Sequence, residues 1–229
     1  MTRLRWLAGC AVGALLLAAC GGGGGSVEGV DADAVLEAAA QRMDAVEAFH
    51  FVLTQENGTT GIMLGLELVS AEGDIAGPDR AQLEVKAKLG TTNLAVKMIV
   101  LPDSSYITNP LTGRWQEEEV SISAFFNPDT GVTALMRAVT EAEATRREQV
   151  GGVDTYRIEA MVDSGDLDLF AADAPPGRAL KARAWIGVED SLVYRVEIEG
   201  GVTPEEPDNV VRRLELSRFD QPVEITAPR

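Results

Sequence analysis

Histidine and cysteine are nearly absent from these 229 residues: His50 stands alone, and the cysteines are Cys10 and Cys20. One histidine cannot build a two-histidine metal site or a supported histidine dyad. Aromatic residues are scarce, at 5%. Basic residues number 20 against 36 acidic ones, a formal net charge of −16. Phosphate recognition needs a basic patch, so no nucleic-acid partner is expected. No glycine-rich phosphate loop occurs either, since Gly21 to Gly25 precede no strand-helix unit. The long apolar run near the start, Trp6 to Leu16, is too short to cross a hydrocarbon core of ~30 Å.

The remaining polar clusters have simple readings. Ser104-Ser105 and Ser121 fall in predicted turns, with no general base at fixed spacing. Glu117-Glu118-Glu119 and Glu205-Glu206 read as solvated loops rather than paired acid–base carboxylates. Asp163, Asp166 and Asp168 lack the alternate spacing, central glycine and closing glutamate of an EF-hand, and helix capping near Ser164 explains them. Asn57-Gly58-Thr59 fits a glycosylation sequon but reads as a turn. His50, in an alternating strand, reads as a structural histidine. No catalytic residue, metal or cofactor is expected, and an enzyme is not the expected class.

Arg3 and Arg5 precede the apolar run, and Leu17-Ala18-Ala19-Cys20 follows it. That is the layout of a signal peptide over residues 1–19. The cysteine after Leu-Ala-Ala resembles the lipobox of bacterial lipoproteins. The resemblance implies a diacylglyceryl group on the Cys20 thiol, cleavage before Cys20, and anchoring at the extracytoplasmic face of the cell membrane. Cys10 would leave with the leader, so the mature chain would hold no thiol for a disulfide or metal site. Its charge would be 18 basic against 36 acidic residues, or −18. Attachment is therefore expected through acyl chains and not through attraction to anionic lipid. Gly21 to Gly25 and Ser26 predict a flexible tether over 20–30. Ten such residues have a typical reach of roughly 17 Å.

Residues 31–229 are enough for one domain. Asp31 or Asp33 can cap a helix over 31–47 with Leu36, Ala39, Ala40, Met43 and Val46 on one face. From Phe49 the period becomes two. Strands are predicted at Phe49 to Leu53, from Ile62, Leu64, Leu66 and Leu68 on to Ile75, at Leu83 to Leu89, at Leu94 to Val100, and at Tyr106-Ile107. Turns at Gly77-Pro78-Asp79 and Pro102-Asp103 make these an antiparallel meander, and Val96 is expected in mid-sheet. Asn127 and Pro128 predict the start of a second helix bearing Val132, Leu135, Met136 and Val139. Strands follow at 143–150 and 153–162 around Gly151-Gly152, then a short helix near Ser164, then strands at 179–188, 192–199 and 210–219. The fold class is α+β, a large antiparallel sheet with helices on its apolar face.

Leucine, valine, isoleucine, methionine and alanine fill the inward positions. Such a core can be filled by its own side chains, or it can leave room for acyl chains. Leu64, Leu66, Leu83, Val85, Leu94, Val96, Met98, Val132, Leu135 and Met136 are the candidate lining of that room, with Lys86, Lys88 and Lys97 on the other face.

Several segments recur in a familiar order: Phe49-His50-Phe51-Val52-Leu53, Ala71-Glu72-Gly73-Asp74, and Tyr106-Ile107 before Gly113-Arg114-Trp115. Gly151-Gly152-Val153-Asp154-Thr155-Tyr156 follows, then Trp185-Ile186-Gly187 before Leu192-Val193-Tyr194-Arg195, and an ending from Phe219 to Pro228. Across the mature chain this order resembles the LppX/LprA/LprF/LprG lipoproteins. The resemblance implies a curved, half-barrel antiparallel sheet with helices over its concave face, as in LolA and LolB. It also implies a cavity for the acyl chains of envelope lipids or lipoglycans. A monomer is expected, with an envelope transporter as candidate partner. The competing expectation is an envelope interaction lipoprotein with a filled core and no lipid.

Overall fold

In the computed structural model, residues 27–61, 66–120, 131–167, 170–171 and 174–229 are described. The leader over 1–19, Cys20 and residues 21–26 of the tether, and Ile62, Leu64, Ser121, Asn127, Pro128 and Asp168 lie outside the described residues. The first helix, α1 (Ala32–Asp44), is capped by Asp31, whose side chain accepts from the Ala34 amide at 3.1 Å. Leu36, Ala39, Ala40 and Met43 form its buried stripe. It stops a turn before residue 47. The Glu47 amide donates instead to Asp220 Oδ1 at 2.8 Å, and the Asp220 amide donates to the Ala48 carbonyl at 2.8 Å. The Glu47 amide, joined by that of Ala48 and by Arg42, holds the Asp220 carboxyl below its ordinary pKa. A tertiary contact thus replaces the last helical turn.

The strands are β1 (Ala48–Glu56), β2 (Thr60–Gly61), β3 (Glu67–Ala76), β4 (Ala81–Leu89), β5 (Thr92–Leu101), β6 (Ser104–Thr108), β7 (Trp115–Glu117), β8 (Thr140–Val150), β9 (Val153–Asp163), β10 (Ala179–Gly187), β11 (Val193–Glu199) and β12 (Val211–Ser217). They form one open antiparallel sheet in the order β7-β6-β5-β4-β3-β1-β12-β11-β10-β9-β8, with β2 beside β3. Helix α2 (Val132–Ala138) starts after Gly131, which supplies no side-chain cap. A 3-10 turn, Ser164–Asp166, is capped by Asp163, which accepts from the Gly165 amide at 2.8 Å and the Gly177 amide at 3.0 Å.

Several expectations are corrected. The meander continues into β7, so Glu117 ends a strand, and Ser104-Ser105 open β6 rather than lie in a turn. Ser105 Oγ donates to the Glu118 carbonyl at 2.5 Å and accepts from the Val120 amide at 3.0 Å, which ties down the chain leaving β7. Strand β5 is third from the β7 edge, so Val96 is not in mid-sheet. The pattern from Ile62 to Ile75 is not one uninterrupted strand. A register shift between Leu68 and Ser70 changes the inward set from Leu68 to Ala71 and Ile75. At the edges, β7 has three residues, while β8 is charged, carries two register shifts and places Glu141 at φ 55. Both devices blunt edge-to-edge pairing. Gly151 and Gly152, with φ of 59 and 87, close the β8–β9 hairpin in the primed-turn region.

The outer face is charged. Arg213 donates to Glu197 at 2.6 Å and Glu56 at 2.8 Å, and Arg183 reaches Glu199 at 2.5 Å. Trp185 lies between the guanidinium groups of Arg157 and Arg195, 5.9 and 5.3 Å from its ring centre. His50 sits on this face, with Nδ1 2.9 Å from Asp74.

Inside, Phe51 is 1% exposed and pairs across β3 with Gly73, which in turn pairs with Leu83. A Cβ at Gly73 would lie 2.4 Å from the Gln82 carbonyl oxygen and 2.5 Å from Leu83 Cβ. Gly73→Val is therefore expected to lower stability in urea unfolding by about 1–3 kcal/mol. At Gly61 a Cβ would meet nothing within 4 Å, so Gly61→Val is expected to change stability by about 0.5 kcal/mol or less.

Candidate acyl-binding face

Because side chains alternate across a strand, the register decides which residues share the helix side. Leu83 faces Met98, Val85 faces Val96, and Ala87 faces Leu94. These six share one face, and Leu83 and Val85 adjoin the core that contains α1 and α2 residues. Lys86, Lys88 and Lys97 take the other face, opposite Ala95, Asn93 and Glu84.

One row continues across nine strands: Val96, Val85, Ala71, Leu53, Leu214, Val196, Ala184, Ile158 and Ala144. Every member is aliphatic. At ~4.8 Å per strand, the row runs for roughly 38 Å along the sheet. It offers no side-chain hydrogen-bonding group, so its only chemistry is exclusion of water.

The two ends of the row differ. Helices α1 and α2 pack on each other, and α1 also reaches β8 and β10. Beneath them Ile158, Ala184, Val196 and Leu214 are each less than 10% exposed. Val132, Leu135 and Met136 are buried in this part. The void among Leu36, Leu135, Met136, Ile158 and Val196 measures only ≈ 10 Å³. That region is a filled core. At the other end Leu66, Leu83, Val85, Leu94, Val96 and Met98 are half-buried. These half-buried aliphatics are the less covered stretch of the apolar face.

A groove of ≈ 870 Å³ lies on the outer face instead. Its walls include His50, Glu72, Asp74, Lys86, Lys97 and Trp115, with residues 226–228 along one side. Such walls would strand charges against a hydrocarbon chain, so this groove is not an acyl site.

A model of the LppX_LprAFG lipoprotein family matches residues 31–225, the whole of this sheet and its helices. The chain belongs to that family. It is 26% identical over 238 residues to the lipoarabinomannan carrier protein LprG of Mycobacterium tuberculosis, covering 99% of this chain and 95% of the relative. The LprG of Mycolicibacterium smegmatis is 23% identical, with 86% of this chain and 83% of that protein covered. Among solved structures, LprF from Mycobacterium bovis superposes with a TM-score of 0.69 at 18% identity, covering 86% of this chain and 96% of LprF. Mycobacterium tuberculosis LppX gives 0.61 at 19% identity, covering 85% and 97%. These two likenesses establish the fold: a curved antiparallel half-barrel with helices over its apolar concave side.

In this family member the apolar face ends at a buried cation. Arg212 is 1% exposed and shares the inward parity of Leu214 and Leu216. Its Nε donates to Thr60 Oγ1 at 2.8 Å and its Nη1 to the Gly200 carbonyl at 2.9 Å. Nη2 pairs with the Glu206 carboxylate, which also accepts from the Val202 amide at 2.9 Å. Glu206 is therefore not the solvated loop residue expected; its side chain is 12% exposed because Arg212 draws it inward. The signal was an arginine at an inward strand position, which requires a partner. Glu206→Gln would leave Arg212 without its counter-charge, and a loss of about 3–5 kcal/mol is expected by thermal or urea unfolding. The exposed neighbour Glu205→Gln is expected to change stability by about 0.5 kcal/mol or less.

Proposed function

We propose that this protein is a lipid-anchored carrier that binds the acyl chains of envelope lipids or lipoglycans and carries or presents them across the cell envelope. The observation that carries the reading is the nine-strand aliphatic row, closed by helices at one end and half-buried at the other. Relatives named as lipoarabinomannan carriers, matched along nearly their whole length, support the same class of cargo. So does the chemistry. Each methylene kept from water is worth ~0.8 kcal/mol, so a chain of about sixteen carbons resists leaving a membrane by on the order of 12 kcal/mol. A carrier must offer an apolar sleeve of comparable value and needs no reactive group.

The leader and Cys20 support attachment at the extracytoplasmic face of the cell membrane. Cys20→Ser is expected to shift the protein out of the membrane fraction and to remove the acyl mass increment. Unchanged partitioning and mass would overturn the anchor.

The filled region under α1 and α2 favours one rival reading, an envelope interaction lipoprotein with no lipid ligand. Native mass spectrometry followed by lipid extraction separates the two. On the carrier reading the purified protein holds lipid, or takes it up from vesicles. Val96→Trp then lowers lipid occupancy while unfolding shifts by no more than roughly 2–4 °C. In a filled core the same change overpacks its neighbours at about 1–3 kcal/mol and there is no lipid to lose. A wild-type protein that neither holds nor takes up lipid would replace the carrier reading with the rival.

A further inference from the structure

The chain is strongly acidic, yet two of its hairpins are not. The β4–β5 hairpin carries Lys86, Lys88 and Lys97 against Glu84, and the β6–β7 hairpin carries Arg114 near its turn and Glu117 at the far end of β7, before Glu118 and Glu119. The turns of these hairpins carry Leu89, 51% exposed, and Leu111, 84% exposed. They are the two large exposed hydrophobics among the described residues.

Topology brings both to one end of the sheet. Leu89 faces Thr92 at the tip of the β4–β5 hairpin. Met98 faces Ile107, which sets Asn109 level with Val96, so the β6–β7 turn projects toward the same end. The two tips lie two strand spacings apart, roughly 10 Å along the sheet. The β6–β7 turn holds Leu111 outward by its own bonds. Asn109 Oδ1 accepts from the amides of Leu111 and Thr112, both at 3.0 Å, and the Asn109 amide donates to the Arg114 carbonyl at 2.9 Å. Between the tips and the aliphatic row, Ala87 and Leu94 continue the apolar face to this end. The acid opposite Lys88 on β3, Glu67, is engaged by Thr59 Oγ1 at 3.1 Å. Glu84, farther from the tips, stands between Lys86 and Lys97.

We propose that this end of the sheet docks on an anionic phospholipid surface, with Leu89 and Leu111 entering the acyl region and Lys86, Lys88, Lys97 and Arg114 meeting the headgroups. Exposed apolar tips backed by cations are what such an interface selects. Because Ala87 and Leu94 adjoin the tips, a lipid chain leaving the bilayer there would move along continuous apolar surface. That last role, though not the contact itself, rests on the carrier reading.

The test uses the mature chain from residue 20 carrying Cys20→Ser, so that no acyl anchor masks the contact. Flotation compares vesicles of phosphatidylcholine alone with vesicles that also contain phosphatidylglycerol. The chain should bind the anionic vesicles more strongly, and less so as salt rises. Leu89→Ser with Leu111→Ser should weaken binding roughly a hundredfold, about tenfold for each leucine. Lys86→Ser with Arg114→Ser should weaken it roughly twentyfold. All four side chains are exposed, so unfolding midpoints should stay unchanged. A leucine double variant that binds like its parent overturns the proposal. A parent that ignores anionic vesicles, or binds both compositions equally, overturns it too. Copurified lipid, read by native mass spectrometry on the same samples, reports separately on the carrier reading.

Discussion

The pairing of β1 with β12 holds the architecture together. Seven residue pairs, from His50 with Ser217 to Glu56 with Val211, join the first long strand to the last. Without that seam, β3–β7 and β8–β11 would be two separate meanders, each with an exposed apolar face. With it, Phe51 meets Leu216, Leu53 meets Leu214, and the aliphatic row passes unbroken from one half to the other. Asp220 secures the same seam beyond β12 by accepting from the Glu47 amide. A one-residue slip here would turn every inward side chain of one half outward.

The seam explains how one sheet carries two opposite chemistries. Outward positions hold interleaved arginine and glutamate, and Trp185 is covered by guanidinium groups rather than by apolar residues. Individually such ion pairs contribute little, about 0–1 kcal/mol. Their effect is to make the outer face soluble and to specify which face is out. Along the inward aliphatic row water exclusion is the whole chemistry, and at Arg212 the apolar face ends. The Arg212–Glu206 pair is weak grounds for added stability, because desolvation offsets much of the attraction. What it provides is a fixed boundary: the 200–210 loop, β2 and β12 are drawn onto one buried guanidinium.

The uneven cover of the sheet is more informative than any single side chain. Helices α1 and α2 seal the face over β8–β11, where the void is ≈ 10 Å³. The half-buried aliphatics of β4 and β5 lie beyond that seal, on the side where the neutral and basic hairpin tips emerge. Filled core and candidate ligand surface are thus two stretches of the same row, distinguished by what lies over them.

Periodicity alone determined the helix at α1, the meander, the pairing of apolar against lysine-bearing faces, and the Gly151-Gly152 hairpin. Each depends on residues close in sequence, through the 3.6 and 2.0 periods and the φ > 0 tolerance of glycine. The order of family-like segments also pointed to the right family, because their spacing reflects the same succession of strands. Other features depended on residues far apart. The early stop of α1 at Asp44 comes from Asp220; the inward position of Glu206 comes from Arg212, itself held by Thr60. The Leu68–Ser70 register shift reconciles two alternations that disagree in parity. The place of β5 near one edge follows from β12 entering beside β1. Composition identified the aliphatic residues that could line a cavity, but which of them are sealed and which remain half-open was decided by where the helices came to rest. Burial is a property of the assembled layers, and no local pattern carries it.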